Sequence, residues 1–261
     1  MQLLLTRPRA QAEAWLARLR AQGVSAEMLP LIAIGAPADG APLRDAWARL
    51  ADTGFVMFVS ANAVSGFFAA RPAGAAWPAL TLAGCTGPGT SAALREQGVP
   101  PACIAEPPRE GAQFDSEALW RGIAARPWAG VRALVVRGED GRDWLAEQLR
   151  AAGAEVRFVE AYRRVQPSLS PPERALLRAA IDAPAASVWL FSSSQAVQHL
   201  QQLAPGADWS RATAWATHAR IAGAARAAGF GAVITLAPTL EAVLAQWRRT
   251  LQSPATPAQR P

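Results

Sequence analysis

The chain is 261 residues long, 51% apolar and 18% charged, with a formal net charge of +6 at pH 7. That length suits one large core or two ordinary ones, and the composition excludes a disordered or fibrous chain. The basic residues, all 26 of them arginine, lack the dense clusters of a nucleic-acid binder, and no run reaches the ~18 uninterrupted apolar residues of a membrane span.

Residues 2–6 predict a short apolar strand, and the chain start lacks the basic segment and long apolar core of a leader, so a cytoplasmic location is expected. A helix over 9–22, with Ala14, Leu16 and Leu19 in helical period, closes at Gly23, and a strand over 24–29 follows. Residues 31–34 read as an extended connector, broken by Gly35-Ala36-Pro37. Then come a helix over 41–51 and a nearly all-apolar strand over 55–59, of the type buried on both faces of a parallel sheet. A helix over 62–70, a strand over 80–85, a helix over 90–97 ended by Gly98 and a strand over 102–105 continue the alternation. The loop 106–113 is expected to be mobile, and 115–125 to be helical.

The second half begins with a strand over 131–136, a helix over 140–152, a strand over 155–159 and a second connector over 161–167. Pro171-Pro172 opens a helix to 181. Strands over 187–191, 213–216 and 233–235 alternate with helices over 195–203, 219–228 and 239–251, and the polar, proline-rich tail 252–261 is expected to be disordered. The result is an α/β fold with parallel five-stranded sheets.

The halves also repeat one another. With an offset of about 130 residues, Arg7 falls on Arg137, Leu19 on Leu149, Gly23 on Gly153 and Ile32 on Tyr162. FVSANAV (58–64) matches FSSSQAV (191–197), and LAGCTGPGTSAALREQG (82–98) matches AWATHARIAGAARAAGF (214–230). The repeat order A, B, A′, B′ permits either sequential pairing of the quarters or an inserted B–A′ domain within a split A–B′ domain. Periodicity alone does not choose between them.

In parallel sheets ligands gather at the carboxyl ends of strands, where helix N-termini present free N–H groups. The sequence places Thr6-Arg7, Ser60-Ala61-Asn62, Thr86-Gly87-Pro88-Gly89-Thr90, Arg137-Gly138, Ser192-Ser193-Ser194 and Thr217-His218-Ala219-Arg220 there. Hydroxyls, glycines and arginines dominate, and carboxylates are scarce apart from Glu139 and Asp140, which suits an anionic small molecule. Each hydroxyl also has a plain reading as a helix N-cap. His218 starts a helix after a strand and is the better functional histidine, whereas His199 reads as a packed or solvated side chain. Cys85 and Cys103 lack metal-ligand spacing and read as buried strand-end residues.

GPGTSA (87–92) fits a dinucleotide fingerprint, with Glu106 at the next strand end, but the matching THARIAG loop has none of its early glycines. No nucleophile elbow, Walker loop, paired acids or metal cluster is present. An enzyme so lined works by binding and orienting an already reactive substrate.

LLTRP at the start, Ser60 and Asn62 in FVSANAV, Gly87-Pro88-x-Thr90, VVRGEDGR from 135, Tyr162 in EAYRR, FSSSQAV and THARIA occur in an order that resembles the uroporphyrinogen-III synthase family over roughly residues 1–250. The resemblance implies two flavodoxin-like domains, 1–32 plus 168–250 and 38–160, with 33–37 and 161–167 as a two-stranded connector and strand ends facing a cleft. It implies hydroxymethylbilane as substrate, closed to uroporphyrinogen III with loss of water and inversion of ring D. It implies no cofactor and no metal, a monomer, and a transient contact with hydroxymethylbilane synthase. Tyr162 is the implied catalytic residue. Arg7, Ser60, Asn62, Thr90, Arg137 and Ser193 would hold the carboxylate arms, with Thr6, Gly87, Pro88, Gly138, Ser192 and His218 completing the binding set. The sequence departs from the family pattern at Ser192, where threonine is common, and at THARIA, where a Gly-Pro loop is commoner. The competing expectations are an NAD(P)-binding oxidoreductase using GPGTSA and a non-catalytic two-lobed anion-binding protein.

Overall fold

In the computed structural model, residues 1–107, 115–139 and 143–252 are described. The mobile-loop expectation for 108–113, the helix start at 140 and the tail from 253 lie outside them. Strands and helices alternate along the chain: β1 (Gln2–Leu5), α1 (Arg9–Ala21), β2 (Ala26–Met28), β3 (Ala33–Gly35), α2 (Ala41–Ala48), β4 (Phe55–Phe58), α3 (Ala61–Ala69), β5 (Leu82–Cys85), α4 (Pro88–Glu96), β6 (Ile104–Ala105) and α5 (Ser116–Ile123). Then follow β7 (Arg132–Gly138), α6 (Trp144–Ala151), β8 (Glu155–Val165), α7 (Pro171–Asp182), β9 (Ser187–Phe191), α8 (Ser194–Leu203), β10 (Thr213–Ala216), α9 (Ala219–Ala227), β11 (Ala232–Thr235) and α10 (Leu240–Gln252).

Several boundaries shift from the sequence reading, among them a strand of Ile104–Ala105 where 102–105 is expected and a helix from Pro88 where a start at 90 is expected, and two of the shifts have a clear local reason. β5 starts at Leu82 because Thr81 is tied into a turn: its hydroxyl donates to the carbonyls of Leu50 and Thr53, while the Trp77 indole donates to its own carbonyl. Leu80 is left 93% exposed. The strand expected over 155–159 and the connector after it form one strand, β8, which continues through Tyr162 to Val165.

The strands form two sheets. One has five strands in the order β11-β10-β9-β1-β2, all parallel; β1 lies in its interior, with Leu3 opposite Ala26 on one side and Val188 on the other. The other has the order β3-β8-β7-β4-β5-β6, so its sixth strand is β3, drawn from the first connector and lying beside β8. By contacts the chain divides into one unit of Met1–Ala33 with Val165–Pro261 and a second of Ile34–Arg164.

Strand burial explains the continuous apolar runs. In β1, Leu3 and Leu5 join one core cluster and Leu4 the opposite one, while in β4 Phe55 and Met57 face one cluster and Val56 and Phe58 the other. Both faces of each sheet are covered by helices, so side-chain alternation need not appear as polar alternation. With its parallel strands in register, each sheet gathers the loops that follow its strands at one edge.

Candidate functional site

In the second unit that edge is formed by the ends of β4, β7 and β8. Ser60 caps α3 from an extended backbone, its Oγ accepting from Ala63 N at 3.2 Å. The same Oγ donates to the Tyr162 hydroxyl across a long 3.4 Å. Tyr162, 7% exposed, sits opposite Gly138, where the β7–β8 register slips by a bulge. Gly138 owes its identity to that ring: a Cβ there would lie 2.9 Å from Tyr162 Cζ and 3.2 Å from its hydroxyl oxygen. A side chain at position 138 would therefore displace the Tyr162 ring. Gly138→Ala is expected to lower turnover about 10-fold by displacing the hydroxyl, with much smaller change in melting temperature, because a ring can give where a backbone cannot. Steady-state kinetics beside a thermal melt checks this.

Tyr162 and Asn62 share a cavity of about 670 Å³ that runs along α3 from the strand ends. A second hollow, of about 500 Å³, lies where β7 and β8 begin, against Asp45, Arg132 and Glu155, and so at the other end of the sheet from Tyr162. Its paired surface charges and its distance from the strand ends separate it from the chemistry.

The remaining predicted residues of this unit divide into committed and uncommitted groups. Arg137 is ion-paired with Asp143 and lies 4.7 Å over the Phe158 ring. Gly87 caps α4 in extended conformation, Pro88 occupies its first turn, and Thr90 is buried just behind them. A Cβ on Gly87 or Gly89 would meet nothing within 4 Å, so internal packing does not demand glycine in this loop. Glu106, which a ribose would need, is paired with Arg95 at 2.8 Å. Burial, followed by the charge of Glu106, pushes the Cys85 thiol up to about 11, so it is protonated at neutral pH and unsuited to act as a nucleophile.

In the first unit, Thr6 is fully buried and its hydroxyl donates to the Leu190 carbonyl at 2.7 Å, stitching β1 to β9. That geometry assigns it to the sheet and argues against the ligand contact expected of it. Arg7 differs. Its guanidinium stacks 3.6 Å over Trp15, its Nε is buried without a partner, and burial lowers its pKa. An anion would relieve that desolvation. Ser193 caps α8 as Ser60 caps α3, accepting from Gln195 N at 3.2 Å, with Ser192 half-buried before it. His218 caps α9, Nδ1 accepting from Arg220 N at 3.1 Å, and is exposed. His199 is packed: it is 7% exposed and its Nδ1 lies 2.6 Å from the Leu31 carbonyl.

The N-caps thus recur at matching places in both units. Ser193, which accepts from a helix N–H and donates to nothing among the described residues, still has its own proton to give, which suits a carboxylate oxygen, whereas Ser60 directs its proton to Tyr162. Two residues escape the sequence reading. Gly66, inside α3, allows that helix to touch β8, because a Cβ would fall 2.0 Å from the Ala161 carbonyl oxygen. Arg44 projects from α2 onto the cavity beside Tyr162. Neither stands at a strand end, and neither contact shows as periodicity.

Comparison with known proteins bears on the family and the fold. The family model described as uroporphyrinogen-III synthase HemD matches residues 13–245. The uroporphyrinogen-III synthase of Salmonella typhimurium is 36% identical over 178 residues, covering 67% of this chain and 70% of that protein. That of Synechococcus elongatus is 32% identical over 216 residues, covering 80% and 77%. Among solved structures, the Helicobacter pylori synthetase superposes with a TM-score of 0.57 at 13% identity, covering 96% of this chain and 99% of that one. A mutant Thermus thermophilus enzyme gives 0.54 at 20%, covering 97% and 99%. At those identities the structures speak for the fold, and the sequence matches speak for the family. The chain belongs to the uroporphyrinogen-III synthase family and is a hydro-lyase of tetrapyrrole biosynthesis.

Proposed function

We propose that the enzyme takes hydroxymethylbilane, a linear tetrapyrrole with acetate and propionate arms, and closes it with its last ring inverted. The C–O bond of the terminal hydroxymethyl group breaks, the oxygen takes up a proton and leaves as water, and the pyrrole nitrogen feeds electrons into the new C=C bond. The substituted α carbon of the last ring attacks the resulting cation, giving a spiro centre. The bond from that carbon to its original bridging methylene then breaks. The methylene is recaptured by the free α carbon of the same ring, which loses a proton. One water departs in all, and the ring has turned round.

The observation that carries this reading is Tyr162, a buried side chain that lines a cavity and whose hydroxyl lies within reach of Ser60 Oγ. Because Ser60 donates to it, Tyr162 has its own proton available for the departing hydroxyl. The 3.4 Å separation suits a contact that tightens when substrate arrives. Arg7, Asn62, Thr90 and Ser193, with the N–H groups at the starts of α4 and α9 beside Gly87, Pro88 and His218, are assigned to the carboxylate arms. Arg137 joins them by exchanging Asp143 for substrate. Thr6 and Gly138 support the site, and Ser192 sets the backbone before the cap. Binding and orientation supply most of the catalysis, since the unaided chain closes without inversion. A monomeric protein receiving its labile substrate from hydroxymethylbilane synthase in the cytoplasm completes the proposal.

The test is direct. With hydroxymethylbilane supplied and the products oxidised and separated, the type III isomer is expected to predominate. Type I alone, as in a protein-free control, overturns the proposal.

A further inference from the structure

We propose that the cavity beside Tyr162 is a subsite for one carboxylate-bearing pyrrole ring of the substrate, and that Arg44 holds that ring's acidic arm; this rests on the function proposed above. The cavity measures about 670 Å³ and belongs wholly to the second unit. That is within the range of pockets that enclose small ligands. Its walls are apolar or small, including Pro37, Leu43, Gly66, Ala69 and Ala161, as a pyrrole face requires. Tyr162 and Asn62 both line it, so a ring lodged here lies beside the residue assigned to the departing water.

Charge decides what arm such a ring carries. Among the described residues no carboxylate lines the cavity, and the cations that do are Arg44 and Arg71. Arg71 is occupied: its Nη1 donates to the Gln97 carbonyl at 3.0 Å and its guanidinium lies 5.3 Å over Phe68. Arg44 has no acidic partner among the described residues. Asp45, next to it, is taken by Arg49 at 3.0 Å. Gly40 gives Arg44 room to fold back, since a Cβ there would lie 3.2 Å from its Nη1. A guanidinium without an acid, on an apolar-walled cavity that holds no carboxylate, is complementary to a planar ring with a carboxylate arm.

Two variants test this without touching Tyr162. Arg44→Gln removes the charge, and Ala69→Phe fills the cavity from an exposed position on α3. Each is expected to raise KM for hydroxymethylbilane about 10-fold with kcat within about twofold. Arg44→Lys is expected to recover part of the loss, as a charge without the fork. If KM stays within about twofold of wild type in both variants while wild type forms the type III isomer, the subsite is overturned and the function stands. If wild type itself forms no type III isomer, the function falls and takes the subsite with it.

Discussion

Tyr162→Phe should lower kcat about 30-fold, leave KM within about threefold, and leave the melting temperature nearly unchanged. The ring is buried beside Gly138, and phenylalanine keeps that packing while losing the contact between the hydroxyl and Ser60 Oγ. What disappears is one hydroxyl. A hydrogen bond to a group that gains charge in the transition state contributes about 2 kcal/mol, which corresponds to about 30-fold in rate. Ser60 keeps its bond from Ala63 N, so α3 stays capped. Single-turnover kinetics with hydroxymethylbilane separates the closing step from product release. An unchanged rate would remove Tyr162 from the chemistry and leave its partner Gly138 with a packing role alone.

Gly66→Ala is expected to have a large effect on stability, a loss of about 3 kcal/mol and a fall of about 10 °C in melting temperature. The added Cβ would lie 2.0 Å from the Ala161 carbonyl oxygen and 2.8 Å from its carbon, both backbone atoms held in β8 between β7 and β3. Helix and strand would have to separate, opening the core around Val64, Phe67 and Val159. Gly223, inside α9, provides the control: a Cβ there meets nothing within 4 Å. Gly223→Ala should gain about 0.5–1 kcal/mol from helix propensity. Differential scanning calorimetry on the two variants reads both signs, and equal shifts would show that close approach does not set the cost.

The contrast between these glycines marks how far the sequence can be read. Alternating strands and helices, the all-apolar runs of β1 and β4, and the recurrent caps at Ser60 and Ser193 are local patterns with local causes. The division of labour among hydroxyls is not local. Thr6 and Ser60 both follow apolar strands, yet one is spent on Leu190 and the other is left to reach Tyr162. Which neighbour a side chain meets depends on strand order, and periodicity leaves that order open. EAYRR has the polarity of a linker, which hides the second half of β8. It remains a strand because β3 lies beside it. Arg44 is hidden for a similar reason, being an ordinary surface arginine until α3 and β8 enclose the space in front of it. Tyr162 is legible only through family resemblance, since a lone tyrosine carries no spacing signal.

The position of β1 has a consequence for how the protein comes into being. β1 needs β9 on one flank, and β9 ends at Phe191. On the ribosome, β1 must therefore wait, with β2 as its available strand partner, while Ile34–Arg164 emerges and can close its own sheet. Although translated before that unit, β1 is among the last strands to be locked in place, and during that interval Leu3, Leu4 and Leu5 are exposed to chaperones and to one another.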